Sequence, residues 1–187
     1  RRHVLGFGRV QLRRGKLREG RSSRVRILTW NIGRVYLLGE SRAAGPALDH
    51  VAGVIADLAP DVVALQELKD AGQVDRIVDL LGPRYRGVGA DHSRSDRVVG
   101  MLAKPAAEFE QVPIASGRRA IAVRMTNGGG PTHVAGIHFD AFDAGRRQRE
   151  AAELVAWAER RGGDVVFAGD FNFDPGLCPP RGPDART

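Results

Sequence analysis

The order of apolar patterns along the chain predicts an α/β fold, with two packed sheets and helices on their outer sides. Strand-length runs rich in β-branched residues alternate with stretches whose apolar residues recur every three or four positions. Two runs in the middle of the chain read as antiparallel neighbours rather than as crossover strands. Four of the strand-like runs also close on a side chain able to bind a metal or a phosphate, which calls for one shared rim.

The elements follow in order. Arg24 to Trp30 reads as the first strand of the domain and ends at Asn31. A Gly- and Arg-containing loop leads to a helix near 46–59, where Leu48, Val51, Ile55 and Leu58 share a face and Pro46 suits a first turn. Pro60 starts the next strand, Asp61 to Gln66, which ends at Glu67. A second helix near 72–82 carries Val74, Ile77, Val78 and Leu81 on one side and stops at Gly82-Pro83. From Tyr85 to Met125 the pattern is strand, clearest in 97–104 and 118–126. The Gly-rich turn at 127–131 makes a hairpin into the run Thr132 to Ile137, which ends at His138. A third helix, about 144–161, is expected to bury Ala151, Leu154, Val155 and Ala158. The last strand, Asp164 to Phe171, is apolar on both faces, so neighbours on either side are expected.

Gly169-Asp170-Phe171-Asn172 is the sharpest local signal. Residues at i and i+2 of an extended strand share a side, so Asp170 and Asn172 present a carboxylate and a carboxamide together. Asp and Asn also end strands simply by making turns, which is the competing reading for either residue. Asn31, Glu67 and His138 at three other strand ends tip the balance toward a single polar cleft. Oxygen ligands suit a hard divalent cation, and an amide donates to a phosphoryl oxygen.

Thr-Trp-Asn-Ile at 29–32, Gln66-Glu67, Ile137-His138-Phe139-Asp140 and Gly169-Asp170-Phe171-Asn172 together resemble, in order and spacing, the endonuclease/exonuclease/phosphatase superfamily. The resemblance spans roughly residues 24 to 175. It implies a four-layer αββα sandwich and hydrolysis of phosphoesters assisted by Mg²⁺ or Mn²⁺. Carried over by motif position, it makes Glu67 the principal metal ligand, with Asn31 supporting the metal directly or through water. Asp170 orients or deprotonates the attacking water, Asn172 donates its amide to the phosphate, and His138 hydrogen-bonds a phosphoryl oxygen. The superfamily also has a late Ser-Asp-His segment whose His activates water. Residues 173–187 contain no His, so the expectation is a sandwich lacking its C-terminal elements.

The 187 residues, 42% of them hydrophobic, suffice for one domain with a real core. The net charge of +7 is uneven. Residues 1–26 hold ten Arg or Lys against Glu19 alone, which is +9, and the remaining 19 bases and 21 acids leave −2. The expected division is therefore a basic, disordered tail at 1–23, a domain at 24–175 and an unstructured end at 176–187. A basic arm of this kind can hold nucleic acid or another polyanion through phosphates. No run approaches the roughly 18 apolar residues of a membrane span, and no signal-peptide pattern precedes the domain. A soluble monomer is expected, with the cytoplasm favoured. The single Cys178 excludes an intramolecular disulfide and a Cys-based zinc site. His3, His50, His92 and His133 read as solvated or structural. Asp140 reads as a partner for Arg146 or Arg147 or as a helix cap, and Arg118-Arg119 as a solvated strand flank.

Three functional readings follow from these residues. The first is a metal-dependent phosphodiesterase, nuclease or phosphatase whose activity is limited by the absent Asp-His segment. The second is an active minimal hydrolase with a replacement base, and the third a non-catalytic phosphate- or nucleic-acid-binding domain.

Overall fold

The computed structural model describes residues 11–14, 25–33, 44–90, 98–114, 119–127 and 130–173. The chain runs β1 (Gln11–Arg14), β2 (Arg26–Asn31), α1 (Ala44–Leu58), β3 (Val62–Leu68) and α2 (Ala71–Leu81). It continues through a 3₁₀ turn (Gly82–Arg84), β4 (Arg86–Ala90), β5 (Val98–Ala103), β6 (Glu108–Pro113), β7 (Arg119–Asn127) and β8 (Gly130–His138). It closes with α3 (Ala144–Glu159) and β9 (Asp164–Asp170). The expected alternation is present, and the helices begin and end within about two residues of their predicted bounds. His3, His92, Arg118, Cys178, the 34–43 loop and the predicted end at 176–187 lie outside the described residues.

The strands form two sheets, ordered β1-β2-β3-β5-β4 and β6-β7-β8-β9. Alternation decides which face each residue serves. In β2, Leu28 and Trp30 pack with Leu48, Val51 and Ile55 of α1 and Val74 and Ile77 of α2, while Ile27 faces the other way. Between the sheets lie Val62, Ala64, Met101, Ile121, Val123, Val134 and Ala168. On the far side of the second sheet, Ala135, Ile137 and Phe139 pack against Leu154 and Trp157 of α3. The result is four layers, helices–sheet–sheet–helix. Gly136 permits the close approach of the sheets, because a Cβ there would fall on the Met101 sulfur.

Three readings of the sequence need correction. Gln11–Arg14, placed in a disordered tail, pairs antiparallel with β2 as an edge strand. Four Arg-rich residues carry no apolar alternation to announce a strand, and the neighbouring β2 edge supplies the backbone partners instead. β9 pairs with β8 alone among the described residues, and its Val165, Val166 and Phe167 stay half-buried while Ala168 is buried. Helix α3 buries Glu150, Leu154 and Trp157 and leaves Val155 exposed. Apolar character misplaced that face because Glu150, fully buried, accepts the backbone N–H of Asp140 (3.2 Å) and so is satisfied in the interior.

Asp61 ties together the end of the first sheet away from Asn31. Its carboxylate accepts the Arg26 backbone N–H (2.8 Å) and the Lys104 ammonium (2.6 Å). Burial pushes its pKa up, but the hydrogen bonds from Arg26 and Lys104 and their charges outweigh burial and hold it below the ordinary Asp value. A depressed carboxylate stabilises the fold above its unfolded pKa and loses that contribution as pH falls through the folded one. Asp61→Asn is therefore expected to be less stable than the native chain at neutral pH. In thermal unfolding across pH, the gap should narrow as pH falls below about 4.

Gly169 occupies the turn into the last polar residues of β9, with φ at +153°. A Cβ there would clash with the Ile137 carbonyl oxygen of the paired strand. Only glycine fits, and Gly169→Ala should cost about 3 kcal/mol as β8 and β9 are forced apart. A calorimetric melt within half a kcal/mol of the native chain would contradict this.

Candidate active site

Two parallel strand pairs build the rim. β2 runs beside β3 with Asn31 opposite Gln66, and β8 runs beside β9 with His138 opposite Asp170. Parallel neighbours end on the same side, so each pair delivers its last polar residues to one end of its sheet. Counting by twos from Ile27, Val134 and Val166, which face the layer between the sheets, places Asn31, His138 and Asp170 on that inner side.

Glu67 reaches the same place by a different route. Leu65 and Leu68 both face the helical layer, though three residues apart, which a regular strand cannot achieve. The β3–β5 register shifts between them, and Glu67 takes φ +65°. This bulge turns the Glu67 side chain away from the helices and toward Asn31. Bulges of this sort re-aim a side chain at the end of a ladder.

Of the five expected site residues, Asn31, Glu67, Asp170 and Asn172 are joined by hydrogen bonds, and His138 stands opposite Asp170 in the β8–β9 register. The Asn31 amide nitrogen donates to Asp170 Oδ2 (2.9 Å) and to Glu67 Oε1 (3.3 Å), joining one carboxylate from each sheet. Its Oδ1 accepts the Gly33 N–H (2.9 Å), which settles the orientation of the amide. Asp170 Oδ1 accepts the Asn172 backbone N–H (2.8 Å), the Asx-turn expected of a strand end. One Asp170 oxygen thus makes the turn, and the other faces Asn31. Asn172, at φ +46°, donates from Nδ2 to the Phe139 carbonyl (2.7 Å). That contact commits one of its two amide hydrogens. His138 is buried, and the other four are half-buried.

The residues set aside fall where expected. The Asp140 carboxylate accepts the N–H groups of Phe142 (2.8 Å) and Asp143 (2.9 Å) and pairs with Arg146 (3.2 Å). Asp143 is the cap of α3, accepting the Arg146 N–H (2.9 Å). His133 points to the opposite face from His138 and stands edge-on to Trp157. His50 stands edge-on to Trp30. Residue-by-residue reading missed the Phe139 carbonyl and the Gly33 N–H, which hold Asn172 and Asn31. The Asn-x-Gly spacing at 31–33 is the only trace of either in the sequence. Phe171 turns away from the rim, stacks edge-on with Phe139 and lines an apolar groove of about 390 Å³ with Phe173 and Ala151.

The donor set fits a hard divalent cation in its chemistry, two carboxylates with no sulfur, while the Asn31 amide turns its nitrogen toward both and its oxygen to Gly33. Among the described residues no three His, Cys, Asp or Glu side chains gather in a metal-holding cluster. Glu67 is the carboxylate that could hold such an ion, with Asn31 and Asp170 beside it.

A sequence model of the endonuclease/exonuclease/phosphatase family matches residues 28–186. The chain belongs to that family. No curated protein matches it. Solved structures of the family fold do. TDP2 from Caenorhabditis elegans superposes with a TM-score of 0.61 at 19% identity, covering 86% of this chain and 50% of that one. D. rerio TDP2 complexed with single-strand DNA product gives 0.63 at 19% identity, covering 82% and 62%. ANGEL2, a 2',3'-cyclic phosphatase in complex with adenosine-2',3'-vanadate, gives 0.58 at 16% identity, covering 80% and 54%. The chain therefore spans about half the length of C. elegans TDP2. At these identities the likeness concerns the fold, and the four-layer sandwich expected of the family is the one observed.

Proposed function

We propose that this chain is a divalent-metal-dependent phosphoester hydrolase acting on nucleic-acid or nucleotide substrates. The observation that carries the reading is the Asn31 amide, which links Glu67 of one sheet to Asp170 of the other at a shared rim. Family membership supports the reaction class, and the nucleic-acid product and cyclic-phosphate analogue held by two structural neighbours support the substrate class.

Glu67, with Asn31 beside it, would hold Mg²⁺ or Mn²⁺. When bound, such an ion offsets the charge that builds on the phosphoryl oxygens and the leaving oxygen. The chain's own residues do the rest. Asp170, fixed by the Asn172 N–H and the Asn31 amide, positions the attacking water and accepts its proton. Asn172 offers its second amide hydrogen to a phosphoryl oxygen, its first being anchored on Phe139. His138 donates to another phosphoryl oxygen and, when protonated, stabilises the departing charge. The basic N-terminal stretch adds salt-sensitive contacts to polyanionic substrates.

The test is hydrolysis of bis(p-nitrophenyl) phosphate and of an oligonucleotide with Mg²⁺ or Mn²⁺. Glu67→Gln, which removes charge and keeps size, should lower kcat/KM on the order of 100-fold or more while the melting transition persists. An unchanged rate in the folded variant would remove Glu67 from the chemistry. Metal-dependent binding of phosphate by the native chain without turnover would favour the other reading, a non-catalytic phosphate-binding domain.

A further inference from the structure

The first turns of α3 leave one face short of side-chain bulk. Ala144, Arg147, Gln148 and Ala151 recur at i, i+3, i+4 and i+7, so they share a side of the helix. Phe139, Phe171 and Phe173 form the facing wall at the rim end of β8 and β9. Two alanines opposite three rings do not close the space between them, and a groove of about 390 Å³ remains. That volume lies within the roughly 300–1,000 Å³ of ligand clefts. Phe171 is 42% exposed and Phe173 59%, so neither ring completes its burial among the described residues. The groove is also continuous with the rim. Phe171 lies between Asp170 and Asn172 in the chain, Phe139 follows His138, and the Asn172 amide is bonded to the Phe139 carbonyl (2.7 Å).

The charge of the groove is one-sided. Arg147 brings a guanidinium, and no acidic side chain lines the groove. One Arg147 nitrogen donates to the Asp140 carbonyl (2.9 Å), a neutral acceptor, and the guanidinium has further N–H groups to offer an anion. An occupant that suits both walls is flat and aromatic in one part and anionic in another. It must also be tethered to a phosphoester at Asp170, because groove and rim share the end of β9. We propose that the groove is a nucleotide subsite: the base of the nucleotide next to the scissile phosphoester stacks on Phe171 and Phe173, and that nucleotide's outer phosphate meets Arg147. This rests on the phosphoester reading of the rim. Stacking on an aromatic side chain accepts every base, and the Gln148 amide offers both a donor and an acceptor to a base edge, so little sequence preference is expected. A lipid phosphoester would place a chain in the groove and gain nothing from rings in place of aliphatic side chains.

The experiment uses two labelled single-stranded oligonucleotides of equal length, one with its bases and one abasic throughout, so that charge is the same and only stacking differs. Binding is followed by anisotropy across a salt series without divalent metal, and each variant is checked by thermal unfolding. The double variant Phe171→Leu with Phe173→Leu keeps an apolar wall and removes the rings. It should weaken binding of the base-bearing strand about tenfold, the scale of a lost stacking contact, and of the abasic strand less than about twofold. Phe173→Leu alone, at the more exposed ring, should show about threefold of that loss and carries the test if the double variant unfolds. Arg147→Gln should weaken both strands and flatten the salt slope by about 0.7, one phosphate contact. Phe142→Leu, an exposed ring outside the groove, should change neither. Equal binding of the two strands by the native chain, or native-like binding of the base-bearing strand by the folded double variant, would overturn the subsite. Equal losses on both strands would overturn it as well. Turnover of bis(p-nitrophenyl) phosphate with Mg²⁺ or Mn²⁺ is measured separately on the native chain. Its absence would sink the hydrolase reading, while a ring-specific loss of base-bearing strand would still support the subsite.

Discussion

The Asn31 carboxamide is the contact on which the rim depends. Two carboxylates facing each other across the gap between sheets repel unless something positive or donor-bearing lies between them. The Asn31 Nδ2 group provides both donors at once, to Asp170 Oδ2 and Glu67 Oε1. It can do so only because its own oxygen is held by the Gly33 N–H. The Asn31 side chain thereby couples β2, β3 and β9 at the point where the two sheets come together.

Around this contact the backbone departs from regular geometry in three places. Glu67 at φ +65° and Gly169 at φ +153° lie within the last residues of their strands, and Asn172 at φ +46° comes two residues after β9. Positive φ is costly for a residue such as Glu and mild for Asn. The cost at Glu67 is borne by the packing of Leu65 and Leu68 on the helical layer, which leaves the intervening residues no regular path. The same departures give the site its shape. A regular β3 would aim Glu67 at α1 and α2, and a residue larger than glycine at 169 would push β9 off β8. The polar rim is thus built where the ladder ends, at the margin of three apolar clusters.

Much of this is legible from residue order. Alternation in β2, β8 and β9 is unbroken up to the rim, so parity alone places Asn31, His138 and Asp170 on the inner side. Helical spacing likewise locates α1 and α2 and their buried faces, Val51 and Ile55 on one and Val74 and Ile77 on the other. Glu67 is legible only as a strand end, because nothing local marks a bulge whose cause is the register of β5. β1 is hidden by its arginines, since an edge strand held by backbone bonds needs no apolar pattern. The α3 face misleads because Val155 looks like core and Glu150 does not, while the Asp140 N–H that satisfies Glu150 lies ten residues away. The half-burial of β9 is invisible for the opposite reason: Val165, Val166 and Phe167 read as residues enclosed on both sides.

The convergence of Glu67 and Asp170 is most directly tested by titrating Mn²⁺ into the native chain and following the free ion by electron paramagnetic resonance. The arrangement predicts a single bound ion per chain, with affinity lowered at least about tenfold by Glu67→Gln, which removes the charged oxygen donor, and less by Asp170→Asn, whose carboxylate serves the water. Native-like Mn²⁺ affinity in both folded variants would contradict the assignment of this rim as a divalent-cation site.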